Sequence, residues 1–157
     1  MPDTKRQIKI LGSGPAGMAA AINLAKSGFN TAVYEQRERP GAHFYNGWQI
    51  LENYSSPVDA LRELELMNIN SEFYYKPESS IDFFDNRLRR FPLSGKKPFG
   101  YFLKRGTDPD TLDTALYNQA KNAGVEFHFK TRIIDSEADI ISGGSVYASG
   151  IAKETVF

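Results

Sequence analysis

Three glycines stand in the run Ile10-Leu11-Gly12-Ser13-Gly14-Pro15-Ala16-Gly17, between a short apolar segment and an alanine-rich stretch, and an acid, Glu35, closes the next apolar segment. The chemistry open to residues so spaced is the holding of a diphosphate and the sugar attached to it. Gly12 can take backbone angles forbidden to a side chain, so the chain can leave a strand and enter a helix within a few residues. Gly14 lets the backbone approach a phosphate, and Gly17 lets the helix pack closely on the strand. A helix that opens at Pro15 and Ala16 leaves its first amides without partners, and proline at its first position gives up only a donor that was unpaired anyway. The helix dipole is worth roughly 0.3–1 kcal/mol to a nearby anion, so amides and a sugar contact must add to it.

Glu35 is the candidate for the sugar contact. It ends the segment Thr31-Ala32-Val33-Tyr34-Glu35, about 20 residues past the glycines, where an acid accepts hydrogen bonds from ribose hydroxyls. An acid there also repels a 2′-phosphate, which points to FAD or NAD rather than NADP.

The elements that must position these residues follow from periodicity. Gln7 to Leu11 reads as a strand, although Lys9 is out of place in a strand buried on both faces. Pro15 to Ser27 reads as a helix with Met18, Ala21, Ile22 and Ala25 on one face and Gly28 as a left-handed cap. Thr31 to Glu35 completes a βαβ unit. Residues 36–56 lack periodicity and read as a long loop of the kind that carries function. Pro57 to Met67 reads as a helix. Phe73-Tyr74-Tyr75, Ile81 to Phe84, and the stretch through Leu88 and Phe91 read as short antiparallel strands around Pro77 and Asp85-Asn86, a small inserted sheet whose aromatics are expected in its core. Thr111 to Asn122 reads as a helix capped by Gly124, Val125 to Phe129 as a strand followed by Ile133 and Ile134, and Ala138 to Ile141 as a further strand.

Composition narrows the function classes. The 157 residues are 41% hydrophobic and 13% aromatic, enough for a globular core. Nineteen basic residues balance nineteen acidic ones, which gives no overall electrostatic reason to expect nucleic acid or an anionic membrane surface. The absence of cysteine removes disulfides, thiolate nucleophiles and cysteine metal sites, and makes the cytoplasm the default compartment. Two histidines, His43 and His128, and no matching carboxylate spacing give no metal signature. Lys9 and the Gly-Pro turn argue against reading the first residues as a signal peptide, and no apolar run approaches the ~20 residues of a membrane span.

The glycine run, the segment Val33-Tyr34-Glu35-Gln36-Arg37-Glu38-Arg39-Pro40-Gly41 and the stretch Asp110 to Ile133 together resemble FAD-dependent oxidoreductases with the glutathione-reductase type of nucleotide fold, nearest to the branch of geranylgeranyl reductases and aromatic-ring hydroxylases. The resemblance implies that Gly12, Gly14, Pro15, Ala16 and Gly17 face the FAD pyrophosphate, that Glu35 binds the adenosine ribose, and that Gln36 and Arg37 lie toward the adenine end. It further implies that Arg105 lies close to the cofactor and that the Ile133 backbone meets the adenine edge. Leu51-Glu52-Asn53 is similar to a short motif in the loop that runs toward the flavin. Two departures stand out: Ser142-Gly143-Gly144 replaces an Ala-Thr-Gly-like turn, and the chain stops at Phe157, where a Gly-Asp segment and a substrate domain are expected to follow.

The resulting expectation is an α/β, Rossmann-like FAD/NAD(P)-binding βαβ fold with a small antiparallel insertion. Residues 1–70 and 105–157 form the two parts of the FAD-binding domain, the second cut short, and 71–104 the β-rich insertion. The function expected is that of the FAD-binding amino-terminal region of a flavin oxidoreductase, with NAD(P)H as electron donor, an unidentified small-molecule or lipid substrate, no residue assigned to catalysis, and catalysis incomplete in this chain alone. The face where the continuation docks offers a route to self-association. Two other readings stand beside it, a non-catalytic nucleotide-binding or interaction module and an NAD-binding dehydrogenase domain.

Overall fold

A computed structural model describes residues 6–133 and 137–142. Its centre is the expected βαβ unit: β1 (Ile8–Leu11), α1 (Pro15–Lys26) and β2 (Thr31–Tyr34), with β1 and β2 parallel and Ile10 opposite Val33. Much later in the chain, α3 (Leu112–Asn122) leads into β8 (Glu126–His128), which pairs parallel with β2, and β9 (Ile140–Ile141) pairs parallel with β1. The order β8-β2-β1-β9 is that of a doubly wound nucleotide-binding sheet. Helices α1 and α3 pack beside one another over it. Ile10, Met18, Ile22, Val33, Leu116 and Ala120 meet in one core with Leu103 and Phe73 from outside the sheet. Lys9, alternating with Ile10, lies half-buried on the opposite face. Gly28 and Gly124 carry the positive φ expected of helix-terminating glycines, +86° and +90°.

Between β2 and α3 the chain departs from the expectations in three places. Residues 36–56 are not all loop: Gly47–Glu52 forms β3, antiparallel to β7 (Gly100–Arg105), and β4 (Tyr75–Glu78) pairs with the other edge of β7. This second sheet therefore takes a strand from before residue 71. The helix expected from Pro57 is α2 (Ala60–Leu66), because Asp59 caps it by accepting from Leu61 N at 3.0 Å. Asn53 assists by accepting from Ala60 N at 2.7 Å. Finally, β5 (Ser80–Phe84) and β6 (Arg90–Ser94) form a separate two-stranded hairpin. Its aromatics are not core as expected: Phe83, Phe84 and Phe91 are all at least half exposed, whereas Phe73 and Tyr101 are buried.

Tyr101 ties the second sheet to α2, its hydroxyl donating to Asp59 Oδ2 at 2.6 Å. Burial first, and then the bond to Asp59, pushes the Tyr101 phenol up to about 12. The same bond holds Asp59 below its ordinary carboxylate value.

Candidate functional site

Strand β1 ends in a turn that the glycines shape for different reasons. Gly12 has φ +99° and donates its N–H to Tyr34 O at 2.9 Å. A Cβ on Gly17 would lie 2.2 Å from Gly12 O, so helix and turn approach too closely for any side chain. Gly14 is the opposite case. Its φ of −70° suits any residue, and a Cβ there would meet nothing in the described chain nearer than Ser142 Oγ at 4.0 Å. Among the described residues nothing in the packing requires glycine at that position, and the space it leaves opens onto a cavity. Helix α1 begins at Pro15 with no side-chain cap and no acid in its first turn, so no side chain competes for its orphan amides.

Glu35, just past β2, is held by three donors. Ser13 N and Ser13 Oγ donate to Glu35 Oε2 at 3.0 and 2.6 Å, and Arg37 N donates to Oε1 at 2.9 Å. A carboxylate offers roughly two acceptor positions per oxygen. Oε2 is thus filled from within the protein, and Oε1 keeps one position for something else. The loop after β8 supports this corner, with Thr131 N donating to Glu35 O at 3.0 Å and Lys130 N to Arg37 O at 2.9 Å. Tyr34 and His128 stack between the two strands with centroids 4.5 Å apart.

Arg105, at the end of β7, forms the far wall. It is buried, 7% exposed, and pairs with the still more buried Asp113 of α3 through Nε to Oδ2 and Nη2 to Oδ1, both at 2.8 Å. Its Nη1 donates to Gln49 Oε1 of β3, and Gly106 N donates to Asp113 Oδ2 at 2.9 Å. The guanidinium lies over the Phe44 ring, 4.2 Å from its centroid. Each of its three nitrogens donates to a partner, which makes it a rigid surface rather than a mobile charge. Nearer the mouth, Arg37 Nη2 and His43 Nδ1 are 3.1 Å apart.

One cavity of about 530 Å³ joins these residues. Of the positions expected from sequence, Gly12, Gly14, Pro15, Glu35, Gln36, Arg37 and Arg105 line it. Gly17 lies beneath the turn, and Ala16 faces a second, apolar cavity of about 240 Å³ between α1, α3 and the second sheet. Ile133 is half-buried and off the wall, which takes its neighbour Arg132 instead. Ser13, Phe44 and Asp113 are lining residues that sequence reasoning missed. Each is defined by a partner outside its own local segment, Glu35 for Ser13 and Arg105 for Phe44 and Asp113, so no local pattern marked it. Leu51 and Glu52 end β3, and Asn53, just past it, is spent on structure, donating to Pro98 O at 3.0 Å besides accepting from Ala60 N. Ser142 N donates to Leu11 O at 3.2 Å, whereas Gly143 and Gly144 lie outside the described residues, as does Ile134.

Residues 10–54 match the NAD(P)-binding Rossmann-like domain family. The thiamine thiazole synthase of Thermotoga maritima is 36% identical over 67 residues, a match that takes in 37% of this chain and 27% of that protein. Among solved structures, a geranylgeranyl bacteriochlorophyll reductase-like protein from Thermoplasma acidophilum superposes with a TM-score of 0.60 at 23% identity, over 79% of this chain and 30% of its own. A flavoprotein/dehydrogenase from Cytophaga hutchinsonii does so with a TM-score of 0.53 at 17% identity, over 83% and 32%. The chain thus spans about a third of the length of either structure or less. Likeness at that identity establishes the shared architecture.

Proposed function

From a chain that carries a Rossmann-like dinucleotide-binding fold shared with FAD-dependent oxidoreductases, we propose that this protein is the FAD-binding portion of a flavin-dependent oxidoreductase. The observation that carries the reading is the empty quadrant at Gly14 beside the anchored carboxylate of Glu35. The turn from Gly12 to Gly17, with the amides that open α1 at Pro15 and Ala16, receives the pyrophosphate. Glu35 Oε1 accepts from one ribose hydroxyl with its remaining position, and its charge rejects a 2′-phosphate. Gln36, Arg37 and the Ile133 backbone lie toward the adenine, and Arg105 bounds the site on the side of β7.

When bound, the flavin would supply hydride chemistry, taking two electrons from NAD(P)H and passing them to an organic substrate. The residues of this chain do the holding: they bind the diphosphate through backbone amides, fix the ribose, and keep Arg105 over Phe44 so that the cavity retains its shape. The division of 1–70 and 105–157 around an insertion at 71–104 belongs to the same reading, with the amendment that β3 of the second sheet comes from before residue 71, as does action in the cytoplasm. Among the described residues no helix is long and apolar enough to cross a membrane.

Titration with FAD, NAD and NADP, followed by FAD fluorescence and calorimetry, tests the proposal. FAD is expected to bind and NADP to be rejected. Gly14→Val should abolish binding while leaving the far-UV spectrum and melting temperature unchanged, since the added methyls enter the cavity rather than the protein. Binding of NAD but not FAD would favour the second reading, an NAD-binding dehydrogenase domain, which the match of residues 10–54 also suits. FAD binding by Gly14→Val equal to that of the parent would end both.

A further inference from the structure

The β5–β6 hairpin has three properties that the nucleotide site does not use. First, it presents an apolar surface to solvent: Phe83 and Phe91, directly paired, are 52% and 50% exposed, and Leu88 at the tip is 81% exposed. Second, Leu88 sits at φ +59°, the left-handed position where a turn of this kind ordinarily carries glycine or asparagine. Asp85 closes the turn around it, its Oδ1 accepting from Arg87 N and Arg89 N at 2.9 Å each. A bulky apolar residue therefore occupies the one tip position where the backbone disfavours it. Third, the stretch from Ser79 to Lys97 holds five basic residues against two acidic ones, in a chain whose charges sum to zero overall. Three of the five, Arg87, Arg89 and Arg90, surround the tip. Asp85 and Asp82 pair with Arg89 and Arg90 at 2.7 Å, and Arg87 has no ion-pair partner among the described residues.

We propose that this hairpin docks on an anionic lipid surface, with Leu88 entering the headgroup layer, the Phe83–Phe91 face behind it, and Arg87, Arg89 and Arg90 meeting lipid phosphates. An apolar wedge ringed by arginines is complementary to such a surface in both charge and depth. Tip-first approach uses the residue that the fold itself would rather not have. The cancelled net charge concealed the local excess.

Co-sedimentation of the whole chain with phosphatidylcholine vesicles, with and without phosphatidylglycerol, tests this. Binding is expected only to the anionic vesicles, weakening as salt is raised. Leu88→Gly should weaken vesicle affinity about tenfold or more, with a melting temperature equal to or above the parent's, because glycine accepts the left-handed angle. Arg87→Gln should also reduce binding to anionic vesicles. FAD binding should be unaffected in both variants, so loss of the nucleotide reading leaves this one standing. Binding to neither vesicle or equally to both, undiminished binding by Leu88→Gly, or a parent dimer that Leu88→Gly dissociates without any vesicle binding, would overturn the proposal.

Discussion

The nucleotide corner and the β5–β6 hairpin each set an arginine beside a phenylalanine and pair it with an aspartate, yet the two constructions differ in kind. At the corner, Arg105 lies 4.2 Å from the centroid of Phe44 and forms a two-bond fork with Asp113, both charges buried. On the hairpin, Arg89 stands 6.0 Å from the Phe91 centroid and its partner Asp85 is largely committed to backbone amides of the turn. Enclosure is what separates them. In the corner the ion pair is almost wholly shielded from water, so its geometry is fixed and the cavity wall with it. On the hairpin the same groups keep their hydration, so the pairs of Arg89 and Arg90 are weak and can be exchanged for anything anionic that approaches.

The sharpest way to break this contrast is to remove one acid from each region. Asp113→Ala leaves Arg105 buried without a counter-charge and is expected to cost about 3–5 kcal/mol in denaturant unfolding. Asp82→Ala, which frees the exposed Arg90, should leave the unfolding midpoint where it was. Equal losses in the two variants would mean that enclosure does not decide the matter.

A smaller effect sharpens the corner itself. Glu35→Ala removes the group that Ser13 and Arg37 hold in place, and FAD titration should register a loss of about 1.5–3 kcal/mol for a charge-assisted bond. The lower end is expected, because only one acceptor position of Oε1 is free for sugar. A loss of the melting temperature without a loss of affinity would instead make Glu35 a brace for the turn.

How much of this was legible beforehand follows from the range of each interaction. The βαβ unit was readable because its signals are local: an apolar strand, a 3.6-residue helical face, a glycine turn, and an acid at the end of the next strand. Strand β3 was not. Trp48, Ile50 and Leu51 place apolar groups on both faces, so the alternation that marks a half-buried strand is missing, and only the pairing with β7 makes it one. Ser13 and Asp113 gave no sign because their partners lie 22 and 8 positions away. On the hairpin, Asp85-Asn86 marked the turn correctly, but its left-handed residue falls at Leu88, where composition offers no hint. Aromatic content suggested a core there, and only the pairing of β5 with β6 alone revealed that nothing described covers it.

The mildest test lies between the two regions, on β7, the strand that delivers Arg105 to the cavity. Tyr101 on that strand keeps its phenol proton up to about 12 in the folded state, against an ordinary value of 10.0, chiefly through burial. Below the ordinary value both states are protonated, and the stability that Tyr101 contributes is fully present. As the pH rises from the ordinary value through the raised one, the unfolded chain ionises first and that stability is lost. Asp59, held low by the same hydrogen bond, works in the other direction: its contribution is present above the ordinary carboxylate range and disappears as the pH falls through the lowered value. Unfolding curves of the parent and Tyr101→Phe should therefore converge at alkaline pH and also in strong acid, and differ most in between. A constant offset across the range would show that the Tyr101 hydroxyl contributes by packing alone, and that β7 is positioned without help from the Asp59 charge.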